Sequence, residues 1–422
     1  MNKRLLCVLS MLLAVLTVFV SCNGSKSVST AASANVNGEP DEDQVQVIKA
    51  PLKIAGEDIE KYRIVYARCE YYEVGRTLTT EYDFYKLTAE DIAEQIYTIT
   101  GKTLQMSRDT ETPEGKYEIL VGPTNRSQSD IYDGMDVYTY RNYVKGTKLV
   151  IGAGYNSSHL TADRKTNYCW AATYHAFDFV KDHIASAVQN GSTEVDLAEG
   201  LDLTGKCELT TVACIGDSIT EGAQASNREI TSWPSVLQRI LWKDYVIANL
   251  GYSTKTMRSD LSAKYKDTVC YNALSEYGES FDIAMIMLGT NDSYADPNFS
   301  ASEDKIFKDS ALDIVKQMTR KNKDLKITIM NCPVYYGTGY SGSLHVRNLQ
   351  ANLVTELADK GYDTTFFDMH TFTSENLGKA CFPDDLHPND KGYSIIAKRM
   401  SEVIPAILQD KWDINKQEVI TD

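Results

Sequence analysis

Closely spaced cysteines are absent from this sequence. It contains nine cysteines but no C-x-x-C pair. Cys7 and Cys22 fall in the N-terminal segment discussed below, which leaves seven widely spaced cysteines, an odd number. Neither a disulfide framework nor a zinc site fits this pattern, so we expect mostly buried free thiols and no metal site.

Basic residues are also in deficit. Lys and Arg total 43 against 58 Asp and Glu, which gives a formal net charge of −15. Such a charge disfavours electrostatic attraction to nucleic acid or to an anionic membrane surface. We therefore expect no nucleic-acid partner, and ligands that are neutral or cationic.

Long apolar runs are lacking except at the N-terminus. Lys3 and Arg4 precede an apolar run from Leu5 to Val20, and small Ser21 follows it. This arrangement predicts a signal peptide over residues 1–21 rather than a spanning helix. Phe19-Val20-Ser21-Cys22 resembles a bacterial lipobox, which implies an exported protein that is anchored to the cell envelope by a lipid on Cys22. Membrane contact is expected only through that lipid.

Two folded regions are expected after the N-terminal segment. Residues 22–46 are rich in Ser, Ala, Asn and acids without an apolar period, which predicts a flexible linker after the anchor. Residues 47–205 mix short apolar strands with amphipathic helices and predict a smaller α/β domain. Its order of elements is similar to the α/β accessory domain of β-hexosaminidases and α-glucuronidases.

Residues 206–422 show the pattern of a second α/β domain. Strands and helices alternate, and several of the strands are near-continuous apolar runs, as in parallel sheets that are covered on both faces. The five predicted strands are Thr211 to Ile215, Tyr245 to Leu250, Phe281 to Leu288, Ile327 to Met330 and Thr365 to Asp368. They predict a doubly wound five-stranded sheet that binds its ligand at the carboxyl ends of the strands.

Polar and glycine residues follow three of these strands. Gly216–Thr220 reads GDSIT, and it would place Ser218 at the first turn of a helix, where free N–H groups favour an oxyanion. Gly251 ends the second strand, and Asn291 follows the third within GTND. Taken singly, each has a structural alternative: a helix cap, an ordinary strand-end glycine, or an Asx turn.

A histidine near the C-terminus supplies the base that a serine nucleophile needs. Among His345, His370 and His387, only His387 has a carboxylate three residues before it and a predicted helix just after it, with Pro388 at the first helical position. Asp384 is the better candidate to orient the ring, and Asp385 stays open on chemical grounds.

GDSIT, a strand-end glycine, GTND and D-x-x-H-P in this order resemble the four sequence blocks of the SGNH/GDSL hydrolases. The resemblance implies a flavodoxin-like α/β/α sandwich with Ser218 as nucleophile, His387 as base and Asp384 as its orienting partner. It also implies an oxyanion hole formed by the N–H groups of Ser218 and Gly251 and by the side chain of Asn291. Thr254 departs from the family pattern, which often has glycine after the serine of the second block.

The expected activity is that of a secreted serine esterase without a cofactor. We expect hydrolysis of short acyl esters, acetyl foremost, with an acylated carbohydrate as the partner molecule. This substrate hypothesis depends on export, on anchoring and on a first domain of a type that accompanies glycan-active enzymes. The alternatives are a lipase or lysophospholipase, and a glycan-binding surface protein with a vestigial esterase site.

Overall fold

The computed structural model describes most of the chain beyond the N-terminal segment. The described residues are 51–69, 83–157, 162–189, 194–276, 281–296, 298–338 and 343–421. The predicted signal peptide, Cys22 and the 22–46 linker lie outside them. Within the described residues, no helix combines the length and apolar character needed to cross a bilayer.

Among the described residues before 207, nine strands form two sheets. They are β1 (Leu52–Ile54), β2 (Glu57–Asp58), β3 (Arg63–Tyr66), β4 (Gln105–Arg108), β5 (Glu118–Val121), β6 (Thr139–Lys145), β7 (Lys148–Ala153), β8 (Val195–Leu197) and β9 (Asp202–Lys206). The larger sheet has the order β4-β3-β5-β7-β6-β9, and the smaller one has the order β2-β1-β8. Strands β4, β3, β5 and β7 run parallel, whereas β6 is antiparallel to both of its neighbours. The expected first α/β region is therefore present.

In the part of the chain that the structure describes, the helices α1 (Phe84–Thr100) and α2 (Ala162–Gln189) cover this six-stranded sheet. Helix α1 begins where the Asp83 side chain accepts the Lys86 N–H, and it ends at Gly101 in the left-handed conformation. Phe84 packs against Trp170 of α2, with ring centroids 4.5 Å apart. This aromatic contact lies within the main hydrophobic core of the region.

The second sheet is parallel throughout. Its strands are β10 (Thr210–Gly216), β11 (Tyr245–Gly251), β12 (Ile283–Met287), β13 (Lys326–Met330) and β14 (Thr364–Phe367). Their order, β11-β10-β12-β13-β14, is the 2-1-3-4-5 order of flavodoxin-like folds. The predicted fold class is thus confirmed, and each predicted strand lies within three residues of the observed bounds.

Helices surround this sheet on both faces. They are α3 (Ser218–Glu221), α4 (Arg228–Thr231), α5 (Trp233–Ile240), α6 (Val269–Glu276), α7 (Thr290–Ala295), α8 (Ala301–Thr319), α9 (Ser343–Ala358), α10 (Met369–Asn376) and α11 (Asp390–Leu408). Successive residues of β10 point to opposite faces: Ala213 and Ile215 enter one core, and Val212 and Cys214 the other. A short hairpin of β15 (Trp412–Asp413) and β16 (Glu418–Val419) follows α11.

The start of the last helix corrects one expectation. Pro388 was expected at the first helical position, but α11 begins at Asp390, with Asn389 as its N-cap. The Asn389 side chain accepts the Gly392 N–H, which supplies the side-chain cap that Pro388 cannot provide. The helix therefore starts two residues later than predicted.

The two sheet regions touch along α2 and the turn before β11. Trp242 packs against Phe84, with ring centroids 4.9 Å apart, and joins the core of the first region. His175 Nε2 lies 2.8 Å from the Lys243 carbonyl oxygen.

The first sheet ends at Lys206 and the second begins at Thr210, next to the boundary predicted between 205 and 206. That division into independent domains stays a prediction.

Candidate active site

The parallel register brings three strand ends to one level. Gly216 of β10 is in register with Gly251 of β11 and with Met287 of β12. Ser218 follows two residues after Gly216, and Asn291 follows four residues after Met287. Both side chains therefore belong to the carboxyl edge of the sheet, the edge where ligands bind in this class of fold.

Ser218 is held by a tight turn between β10 and α3. The side chain of Asp217 caps the helix by accepting the Ile219 N–H at 3.0 Å, and Gly222 ends it with φ 103°. A Cβ atom at Gly216 would lie 2.1 Å from Thr220 Oγ1, so the turn needs glycine there. The cap interpretation is correct for Asp217, while Ser218 keeps its hydroxyl for another partner.

Ser218, His387 and Asp384 form a continuous chain of contacts. Ser218 Oγ lies 2.8 Å from His387 Nε2, and His387 Nδ1 lies 2.7 Å from Asp384 Oδ2. An ionised carboxylate can only accept, so Nδ1 carries the ring proton and Nε2 is left to accept from the serine hydroxyl. This is the tautomer that a general base requires.

The structure also distinguishes the two neighbouring aspartates. Asp384 Oδ1 accepts the backbone N–H groups of Leu386 and His387, at 3.1 and 2.8 Å, which fixes the carboxylate beside the ring. Asp385 instead forms an ion pair with Lys379 and has φ 70°, in the left-handed region. Only Asp384 of this pair contacts His387.

Carboxyl pKa values differ strongly around the site. Burial by itself would raise the pKa of Asp384. Hydrogen bonds from the backbone N–H and the ring of His387 and from the Leu386 N–H outweigh burial, so the pKa of Asp384 is lowered. Burial raises the pKa of Asp217 to about 6 despite the bond from Ile219. Asp384 is therefore charged at neutral pH, which favours the imidazolium that forms when His387 takes a proton.

Gly251 was expected to offer its N–H to an oxyanion, which stays a prediction, and the structure shows which contacts this residue makes. Its N–H donates to Asn249 Oδ1 at 3.0 Å, so it is not open to an oxyanion in this structure. Glycine is needed here for packing, because a Cβ atom would lie 2.2 Å from the Glu221 backbone nitrogen. The strand-end glycine lets α3 approach β11 closely.

The segment after Gly251 is fixed at two points. The Glu221 carboxylate accepts both the N–H and the hydroxyl of Ser253, and Asn291 Nδ2 donates to the Lys255 carbonyl oxygen at 3.0 Å. Between them Thr254 has φ 67°, a strained value for a β-branched residue, at the position where the family often has glycine. Sequence reasoning missed Glu221, although it lies one helical turn after Ser218.

Asp292 ties the same region to the sheet. Its two buried carboxylate oxygens accept the N–H groups of Met257 and Arg258, at 2.8 and 2.9 Å. Burial raises the pKa of Asp292 to about 6, against these hydrogen bonds. The aspartate of GTND therefore positions the segment that follows β11, while the preceding Asn291 holds Lys255.

The other two histidines of this region have different partners. His345 Nε2 lies 2.6 Å from Asp304 Oδ1, and the backbone N–H of His370 donates to Asn331 Oδ1 at 2.8 Å. Within the residues that the structure covers, no group of three or more His, Cys, Asp or Glu side chains is arranged to hold a metal ion.

Comparison with known proteins finds similarity over the part of the chain that carries these residues. Residues 214–395 match the model of the GDSL-like Lipase/Acylhydrolase family. The chain is also similar to an acetylxylan esterase of Xylanibacter ruminicola, with 27% identity over 213 residues, which are 47% of this chain and 43% of that protein. The chain thus spans less than half the length of this relative.

Solved structures are similar over about the same portion of the chain. A carbohydrate acetylesterase family member from Sinorhizobium meliloti shares 23% identity over 48% of this chain and all of its own, with a TM-score of 0.36. A family two carbohydrate esterase from Clostridium thermocellum, solved with cellohexaose, shares 19% identity over 51% of this chain and 69% of its own, also with a TM-score of 0.36.

Proposed function

We propose that the protein is a serine esterase that hydrolyses carboxylic esters, since residues 214–395 match the model of the GDSL-like Lipase/Acylhydrolase family. The observation that carries the proposal is the contact chain from Ser218 Oγ through His387 to Asp384. Such a chain is the arrangement by which a weak hydroxyl nucleophile is activated.

Acylation uses the three side chains in sequence. Ser218 Oγ attacks the ester carbonyl carbon while His387 Nε2 takes the hydroxyl proton, and Asp384 stabilises the resulting imidazolium. The tetrahedral intermediate then breaks its bond to the alcohol oxygen. His387 gives its proton to the departing alcohol, and an acyl-serine remains.

Deacylation repeats these roles with water. A water molecule attacks the acyl carbon while His387 takes one of its protons, and the bond to Ser218 Oγ breaks. His387 then returns the proton to the serine oxygen, and the carboxylic acid leaves. The cycle consumes one ester and one water and needs no other reactant.

The oxyanion of both intermediates requires donors at the carboxyl edge. We assign this role to the Ser218 N–H, at the start of α3, and to the Asn291 amide, whose second hydrogen is not used by Lys255. One such donor is worth roughly 10²–10³ in rate. Gly251, whose N–H is bonded to Asn249, is left out of this set.

The favoured substrate is a short acyl ester, acetyl foremost, on a carbohydrate. The similarity to an acetylxylan esterase over 213 residues supports this choice. The predicted export and surface anchoring support it too, because insoluble or polymeric glycans are met outside the cell.

The lipid on Cys22 is itself part of the proposal. Replacement of Cys22 by alanine should abolish palmitate labelling of the protein in cells, and labelling that persists would contradict the anchor.

Activity assays test the esterase directly. The protein should release acetate from p-nitrophenyl acetate and from acetylated xylan, and Ser218→Ala should lower both rates by at least about 10³-fold. Ser374→Ala, at an exposed serine of α10, is the matched control and should keep full activity. A folded Ser218→Ala protein with unchanged rates would refute the nucleophile.

A further inference from the structure

Three tyrosines with exposed side chains lie on segments that carry or contact residues of the candidate site. Tyr252, Tyr294 and Tyr336 are 41%, 64% and 38% exposed, and we call them the rim tyrosines. Other tyrosines of the same half, such as Tyr265 and Tyr393, are fully buried. Exposed aromatic side chains that cluster at one edge of a fold indicate a binding surface.

Tyr252 is fixed next to the nucleophile turn. Its N–H donates to the Gly216 carbonyl oxygen at 3.0 Å, two residues before Ser218. The Lys255 ammonium lies 5.3 Å from the centre of its ring. Tyr252 therefore begins next to the nucleophile turn at the carboxyl edge, and its ring has the Lys255 ammonium beside it.

Tyr294 belongs to the helix that carries the proposed oxyanion donor. It lies three residues after Asn291 in α7, a spacing that places both side chains on one side of the helix. Of the rim tyrosines it is the most exposed. A ligand whose carbonyl oxygen meets Asn291 would have its remaining part near Tyr294.

Tyr336 is attached to the segment that carries Asp384 and His387. Its N–H donates to the Asp385 carbonyl oxygen at 2.7 Å, and its hydroxyl donates to the Leu377 carbonyl oxygen at 3.0 Å. The Phe382 ring packs against the Tyr336 ring, with 5.4 Å between the ring centroids. The Lys379 ammonium lies 5.3 Å from the centre of the Tyr336 ring. The ring is thus fixed before any ligand arrives, which lowers the entropy lost on binding.

The chemistry of this surface selects among ligands. A tyrosine ring offers a flat apolar face that suits the C–H face of a sugar ring, and its edge is compatible with hydroxyl groups. An acyl chain lying on the same surface would bring hydrocarbon against the ammonium groups of Lys255 and Lys379, and desolvating them is unfavourable. The net charge of −15 disfavours an anionic polymer.

We propose that Tyr252, Tyr294 and Tyr336 form a stacking site for a neutral sugar ring next to the ester bond that Ser218 attacks. The catalytic consequence of this site rests on the esterase function proposed above, whereas sugar binding itself does not. The rim tyrosines would hold the acylated glycan, and Ser218, His387 and Asp384 would carry out the reaction.

Binding to an inactive protein tests the stacking site separately from catalysis. In a Ser218→Ala background, titration calorimetry with acetylated xylo-oligosaccharides should show binding that each additional Tyr→Ala change weakens about tenfold. Tyr336→Phe should restore the affinity to within about twofold, because the ring does the stacking. Tyr97→Ala is the matched control, since Tyr97 is 52% exposed on α1 and remote from this edge.

Kinetics of the otherwise unchanged enzyme give the second readout. Each rim Tyr→Ala change should raise KM for the acetylated oligosaccharides, and the loss of kcat/KM should be about tenfold larger than the loss on ethyl acetate, which has no sugar. Equal losses on both substrates, unaltered affinity in the binding titration, or a loss that grows with acyl-chain length would overturn the stacking site. Absence of ester hydrolysis together with tyrosine-dependent sugar binding would refute the esterase and leave the stacking site standing.

Discussion

Ser218 and His387 are 169 residues apart in the chain, yet their reactive atoms lie 2.8 Å apart. The fold achieves this because both follow strands or loops at the same carboxyl edge. Around them, the environments of the acidic groups diverge, with the pKa of Asp384 lowered and that of Asp217 raised to about 6. Single substitutions at this edge should therefore have different effects on activity.

Asp384 and Asp385 give a matched pair of substitutions. Asp384→Asn should lower kcat by about 10³–10⁴-fold, because an amide in place of the carboxylate no longer fixes the reactive ring tautomer. Asp385→Asn, at the residue that pairs with Lys379, should stay within about threefold of the wild-type rate. Initial rates on p-nitrophenyl acetate measure both changes, and equal effects of the two would contradict the assigned roles.

The sequence indicated that Ser218, His387 and Asp384 act together, and the structure places them in contact, but several contacts of the neighbouring residues could not be predicted. Asp384 and Asp385 are adjacent and chemically alike, and they are told apart by three-dimensional contacts such as the backbone bonds from Leu386 and His387 to Asp384. The bond from the Gly251 N–H to Asn249 could not be predicted, because the direction of an N–H group depends on local geometry. Glu221 was missed because its partner Ser253 is brought close only by the pairing of β10 with β11.

At the scale of elements, the segment after β11 is held under strain. Glu221 and Asn291 fix it at Ser253 and Lys255, and Thr254 between them adopts φ 67°. A non-glycine residue in this conformation costs on the order of 1–3 kcal/mol. The two contacts offset that cost and keep the segment in place beside Ser218.

Replacing Thr254 by glycine should relieve this strain. Thr254→Gly is expected to raise the free energy of unfolding by about 0.5–1 kcal/mol, the relief being partly cancelled by the greater freedom of glycine in the unfolded chain. Gln224→Gly, at an unbranched residue with φ 66°, should give a smaller gain. Urea unfolding measures both, and a destabilised Thr254→Gly protein would show that the threonine side chain contributes contacts that outweigh the strain.

Elements were predicted well where their residues are buried on both faces. The strands of the second sheet are apolar runs, and their predicted positions lie close to the observed ones. The start of α11 was misplaced because the sequence offers two common helix-start signals, a proline at the first helical position and an asparagine cap. The bond from the Gly392 N–H to the Asn389 side chain shows that Asn389 is the cap.

At the scale of the whole molecule, the two sheet regions share a charged contact. His175 of α2 lies between Asp178 and Asp244, at 3.4 and 3.1 Å, and also meets the Lys243 carbonyl oxygen. Burial lowers the pKa of His175, but the bonds to Asp178 and Asp244 outweigh it and raise the pKa to about 9. This contact could not be predicted from sequence, because its members belong to regions that were expected to be separate domains.

The stability of the protein should depend on pH through His175. Its pKa is about 9 in the folded protein and close to 6.5 in the unfolded chain, so its contribution is fully present below pH 6.5 and is lost as pH rises towards 9. His175→Asn should therefore lower the free energy of unfolding by on the order of 1–3 kcal/mol at pH 6, and by less at pH 9.5. A pH-independent difference in urea unfolding would contradict the charged contact.

Covalent labelling by a fluorophosphonate tests the central claim, an activated Ser218, most directly. Attack by the serine oxygen forms a bond to phosphorus and expels fluoride, so the product is stable and can be located by mass spectrometry of peptides. We predict a single adduct on Ser218, no adduct in Ser218→Ala, and labelling slowed by at least about 10³-fold in His387→Ala, which lacks the base. Failure of the wild-type protein to react, or an adduct that persists in Ser218→Ala, would contradict the account.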